Sequence, residues 1–198
     1  MIETALVLPS PPALLAPQSV TDPVAELRTA CQAAVVGLPS GQKVIVLANP
    51  VSEANAARGI TEPLGHRVAR SLLGEAEFEP QLALPYAAAA LLELDDPTTL
   101  IVMADGSARR GEKAPGHLHP DAIAFDDGIE SALSSGDAAA LASLDPDLGE
   151  ELWCDGIPGF RVLGEVGRDR QVTAEVSYAD APYGVAWWVA RWDLDDGW

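Results

Sequence analysis

The chain contains three histidines, and two of them stand close together in Gly116-His117-Leu118-His119-Pro120. Side chains two apart in an extended segment point the same way, so His117 and His119 would present their imidazoles together. Glu112, Asp121 or Asp126 could then add a carboxylate, which is the donor set of a displaced metal centre. The same pattern also describes a solvated loop, and His66 alone after Gly65 fits a structural role. A second cluster, Asp105-Gly106-Ser107-Ala108-Arg109-Arg110 with Lys113, gathers three of the chain's 12 cations. Those cations either hold a carboxylate or phosphate or pair with neighbouring acids. Gly106-Ser107 lacks the second glycine of a nucleophile elbow, and no Walker or dinucleotide glycine pattern follows a strand, so hydrolase and nucleotide-binding chemistry have no motif here. Cys31 and Cys154 have no second cysteine at metal or redox spacing and are expected as free thiols in a reducing compartment.

Positioning these groups falls to a series of apolar runs. Residues 2–8 read as a buried strand running into Pro9-Ser10-Pro11-Pro12, and Asp22-Pro23 opens a helix that Gly37 and Pro39 end. Residues 43–48 are a second all-apolar strand closed by Asn49-Pro50, and residues 99–104 are a third, whose end carries Asp105. Helices are expected over 63–73, 87–94, 121–133, 138–144, 147–153 and 160–166. Residues 171–179 alternate, with Val172, Ala174, Val176 and Tyr178 on one face, and residues 183–190 form the last strand, antiparallel to it. Trp187 and Trp188 point to opposite sides of that strand. The fold class is α/β: a single domain over residues 1–198, with a central, mostly parallel mixed sheet, helices on both faces and a C-terminal antiparallel pair. In such sheets the ligand crevice lies beyond the carboxyl ends of the strands, where Asp105 stands.

Four separate segments carry a resemblance. They are residues 102–110 (Val-Met-Ala-Asp-Gly-Ser-Ala-Arg-Arg), Lys113-Ala114-Pro115-Gly116, Phe125-Asp126, and Ala181-Pro182-Tyr183-Gly184-Val185. In order and spacing they resemble an actinobacterial branch of the class III extradiol ring-cleavage dioxygenases, the subunit-B-like family. The N-terminal half is similar more weakly, through a strand running into Pro9-Ser10-Pro11-Pro12. The resemblance implies oxidoreductase chemistry at a non-haem Fe(II) held by two histidines and a carboxylate, with a further histidine as acid/base. At the positions it points to, this chain has Ser10, Asn49 and, in the run Gly106-Ser107-Ala108-Arg109, no imidazole. Glu175 is the carboxylate on the penultimate strand. Hydroxyl and amide side chains are poor ferrous ligands, so no metal or cofactor is expected.

Thirty acids against 12 bases give a net charge of −18, a field that repels phosphate backbones and anionic headgroups and argues against nucleic acid. No apolar run reaches membrane-spanning length, and the start of the chain does not have the pattern of a signal peptide, so the expected setting is the cytoplasm without a membrane partner. Three readings follow. The leading one is a dioxygenase-like scaffold without a working iron site, whose crevice of Ser10, Asn49, Asp105, Ser107, Arg109 and Glu175 takes a small polar or anionic ligand or a partner protein. The second is a metalloenzyme using His117 and His119. The third is a structural module, a homo-oligomer in which the aromatic C-terminal strand offers an edge and an exposed tryptophan, Trp192 or Trp198, marks the contact.

Overall fold

Strands that are apolar along their whole length can be satisfied only between two layers of helices, and the chain builds that arrangement. The computed structural model describes residues 1–15 and 22–195. In order these form β1 (Ile2–Leu8), a 3-10 turn (Pro12–Leu14), α1 (Ala25–Val36), β2 (Lys43–Ala48), α2 (Glu53–Ala56), α3 (Leu64–Leu73), β3 (Glu79–Leu82) and α4 (Ala87–Leu92). They continue with β4 (Thr98–Met103), α5 (Ala122–Ser135), α6 (Ala138–Ala142), α7 (Pro146–Glu151), α8 (Ile157–Gly167), β5 (Gln171–Asp180) and β6 (Trp187–Asp195). One six-stranded sheet has the order β3-β2-β4-β1-β6-β5. β1, β2, β3 and β4 pair in parallel, while β6 runs antiparallel to β1 and to β5.

Alternate residues feed two cores. Leu6, Leu8, Val46, Ile101 and Met103 pack under α1 and α3, whereas Val7, Leu47, Leu100 and Val102 pack under α4, α5, α6 and α8. Glycines set the closest helix approaches. α3 lies on the sheet at Gly65, where a Cβ would come within 2.8 Å of Ala48 Cβ and Met103 Cβ. α8 meets α6 at Gly164, where a Cβ would lie 2.6 Å from the Ala138 carbonyl oxygen.

Several expectations need correction. β3 (Glu-Pro-Gln-Leu) has no strand-like pattern; its parallel pairing with β2 makes it a strand, and Pro80 is tolerated because it lies on an edge. Tyr178 does not share a face with Val172, Ala174 and Val176. The register with β6 shifts between Val176 and Tyr178, so Ser177 is a bulge and Tyr178 turns to the core under α1. The last strand begins later and runs further than residues 183–190, because the segment before it pairs with the loop after β4 instead, through Gly106 N to Ala186 O (2.8 Å) and Ala186 N to Ser107 O (3.1 Å).

β6 is therefore internal and offers no edge; the edges are β3 and β5. Trp187, Trp188 and Trp192 are buried, with Trp192 Nε1 donating to Leu133 O (2.8 Å), so none of them marks a subunit contact. Trp198 lies outside the described residues. No helix among the described residues is long and apolar enough to cross a membrane.

Two glycine substitutions test the packing account. Gly164→Ala drives a methyl into the α6 backbone and is expected to lower unfolding free energy by about 2–4 kcal/mol. Gly128→Ala, where a Cβ would meet nothing within 4 Å on α5, is expected to raise it by about 0.5–1 kcal/mol. Urea midpoints measure both, and equal effects would contradict the assignment of α8 to close contact.

Candidate functional site

Adjacent strands β1 and β4 end side by side, with Leu8 opposite Met103 and Ala104 N donating to Leu8 O (2.9 Å). From β1 the chain turns to α1 on one face, and from β4 it turns to α5 and the helices after it on the other. Strand ends that diverge in this way leave a crevice between them, the switch point where open α/β sheets bind ligands. Ser10 and Asp105 face each other across it. Ser10 N donates to Asp105 Oδ1 (3.1 Å) and Ser10 Oγ to Asp105 Oδ2 (2.8 Å).

Asn49, at the end of neighbouring β2, donates through Nδ2 to the Asp155 carbonyl, while its buried Oδ1 has no hydrogen-bond partner. The chain before α8 closes the floor. Gly156 N donates to Asp105 O (2.9 Å), and a Cβ at Gly156 would collide with that carbonyl and with Phe160. Burial pushes the Asp105 carboxyl up to about 6 against the pull of its two Ser10 hydrogen bonds, and the Asp155 carboxylate adds to the rise. Burial also raises Asp155. Asp155 was not singled out from the sequence; Asp-Gly-Ile-Pro, an acid just ahead of a helix start with Pro158 in its first turn, was the signal available.

Other expected residues lie elsewhere. Ser107 is fully buried, donating from N (2.9 Å) and Oγ (2.6 Å) to Asp126, and Arg110 Nη1 donates to the same carboxylate (3.2 Å). Burial raises Asp126 despite these bonds. Arg109 donates from Nε to Gly116 O and from Nη1 to Glu151 O, both at 2.9 Å, so its guanidinium clamps the loop. Glu175 is exposed on edge strand β5 opposite Arg191, which pairs with Leu6; it is thus two strands from β1 and about 13 Å short of Ser10 along the strand direction. Asp105, Ser10 and Asn49 come together, and Ser107, Arg109 and Glu175 do not join them.

The histidines do not converge. His117 has φ 59°, so the segment is not extended there, and its Nδ1 faces Glu112 O (3.4 Å). His119 Nδ1 accepts from Asp121 N (3.3 Å), leaving Nε2 as donor to Glu151 Oε1 (3.1 Å). His66 is buried, with Nε2 between the Val46 (3.2 Å) and Gln81 (3.0 Å) carbonyls. Among the described residues no group of three or more His, Cys, Asp or Glu could hold a metal ion. A hydroxyl, an amide and aspartates at the strand ends do not fit a two-histidine, one-carboxylate ferrous centre. Cys31 and Cys154 are buried free thiols, and burial pushes Cys31 up to about 12, far from the thiolate a nucleophile needs.

The segments quoted for the resemblance meet in space. Ser107 binds Asp126, Arg110 N donates to Gly184 O (3.2 Å), and Gly184, at φ 73°, lies so close that a Cβ would be 2.5 Å from Ala114 Cβ. A Cβ at Gly106 would lie 2.7 Å from Ala186 Cβ. Every one of these residues shapes the loop after β4, and of them only Asp105 faces the crevice.

The raised Asp105 carboxyl has a definite pH signature. Between about pH 4 and 6 the folded chain holds a proton that the unfolded chain, at an ordinary 3.8, has lost, so this group's contribution is full at low pH and is lost as pH rises through about 6. Asp105→Asn, which cannot ionise, is expected to gain about 1–3 kcal/mol relative to the wild type on going from pH 4 to pH 8. Denaturant unfolding at both pH values measures this, and an equal difference at both would refute it.

No protein-family model matches the sequence. No match was found among curated proteins. Among solved structures, the chain is similar to an uncharacterized protein, JW3007, from Escherichia coli K12, at 15% identity and a TM-score of 0.53, over 96% of this chain and 99% of that one. At that identity the likeness extends to the fold, a single α/β domain with a mixed six-stranded sheet flanked by helices.

Proposed function

We propose that this chain is a class III extradiol dioxygenase-like scaffold that has no ferrous centre and whose switch-point crevice binds a small, uncharged or cationic hydrogen-bond donor such as a polyol or an amine. The observation that carries the reading is the pairing of Asp105 with Ser10 beside the unpartnered Asn49 Oδ1. A buried acceptor without a donor costs about 1–3 kcal/mol, which a ligand hydroxyl or ammonium would recover. Asp105 just after β4 and Asp155 just before α8 favour a donor over an anion at this crevice, which Arg109, taken by the Gly116 and Glu151 carbonyls, and Arg110, drawn to Asp126 on the other side of the loop, do not serve. Ring cleavage would need imidazoles at Ser10 and Asn49, and the chemistry of those side chains supports binding without redox turnover. A cytoplasmic setting fits this reading, since both cysteines are free and buried.

Chelator-treated protein tests it in two arms. Anaerobic Fe(II) titration followed by catechol and air is expected to give neither stoichiometric iron nor ring-fission absorbance. Thermal shifts with ethanolamine and glycerol are expected to exceed those with acetate and phosphate, and to disappear in Asn49→Ala. Stoichiometric iron with ring fission, or a response to the anions alone, would overturn the proposal.

A further inference from the structure

A second cleft, of about 500 Å³, opens away from the switch point, between α5, the loop after β4 and the turn joining β5 to β6. Arg110 lines it together with Glu130, Asp180, Ile123 and Trp188. Its volume is in the range of small-molecule sites. The guanidinium is aimed before any ligand arrives. Asp126, fully buried and held by both Ser107 donors, takes Arg110 Nη1, which leaves the Nε and Nη2 edge without a hydrogen bond among the described residues. That edge carries two parallel N–H groups, the fork that matches a carboxylate.

The facing acids are half spent in the same way. Glu130 accepts from Trp188 Nε1 through Oε2 (3.1 Å), and Asp180 accepts from Ala181 N through Oδ1 (2.7 Å), so each keeps one oxygen for a donor. Opposite charges that share a cleft normally pair, yet no ion pair joins Arg110 to Glu130 or Asp180 among the described residues. A molecule with its own anion and cation a few bonds apart would complete both ends at once.

We propose that this cleft is a binding site for a zwitterion of the α-amino acid class, its carboxylate on Arg110 and its ammonium on Glu130 and Asp180. The chain's net charge of −18 repels a simple anion but not a molecule of zero net charge. Ile123, 47% exposed at the rim, contacts the side chain of the bound molecule and favours an apolar one.

Calorimetric titration of the full chain with glycine, L-leucine, L-phenylalanine, acetate and ethylamine tests the proposal. L-Leucine or L-phenylalanine is expected to bind more tightly than glycine, and neither acetate nor ethylamine alone to bind measurably. Glu130→Gln, which keeps an acceptor for Trp188, is expected to weaken binding about tenfold or more. Arg110→Gln should abolish it; since that change also strips Asp126 of its cation, Ile123→Trp provides a second variant that fills the cleft without touching a charge and should abolish binding in a folded protein. No binding by any amino acid, or binding that survives Ile123→Trp, would overturn the assignment.

Discussion

A carboxylate with no exposed surface has to be fully answered by donors, and Asp126 is answered three times from one loop. The Ser107 amide and hydroxyl and the Arg110 guanidinium all converge on it, tying the segment after β4 to α5. Both clefts depend on that tie. It sets where Asp105 leaves the strand to meet Ser10, and it turns Arg110 toward Glu130 and Asp180 on the other side of the same loop. A buried ion pair of this kind is poor evidence of stability, because desolvation offsets most of the attraction, but breaking it strands a charge in the core. Its value here is geometric: one interaction fixes two binding surfaces.

The same loop accounts for the resemblance. Gly106, Gly116 and Gly184 are glycines because Ala186, Arg109 and Ala114 occupy the space a side chain would need. These segments sit together because they shape one loop, and shaping it does not require iron. Of the positions where the resemblance implies imidazoles, two lie at the ends of β1 and β2, outside those segments, and the third falls within the loop itself, in Gly106-Ser107-Ala108-Arg109. A chain can therefore carry this set of segments while its strand ends carry Ser10 and Asn49.

The mostly apolar strands β1, β2 and β4 were legible because runs buried on both sides suit few other elements, and the switch point followed from them with Ser10, Asn49 and Asp105 at the strand ends. β3 was not, since its pairing comes from its neighbour and not from its own residues. The bulge at Ser177 was hidden for a related reason: period-two alternation continues unbroken in the sequence while the backbone slips by one residue. Ser107 and Arg109 looked like ligand groups from their types alone. Their partners, Asp126 in one case and the Gly116 and Glu151 carbonyls in the other, are 7 to 42 residues away in sequence, and nothing local announces them.

The slip at Ser177 also bears on what the sheet does at its open side. β5 presents ten residues of edge, long enough to template a further strand from another molecule and so seed fibril growth. An added residue increases the local twist and breaks the even spacing of amides that an incoming strand would need. Glu175 stands just before the slip, exposed, where a charge repels a like strand approaching in register. A residue considered for iron thus stands as a charge on an open edge, beside a slip that interrupts the regular spacing of its amides.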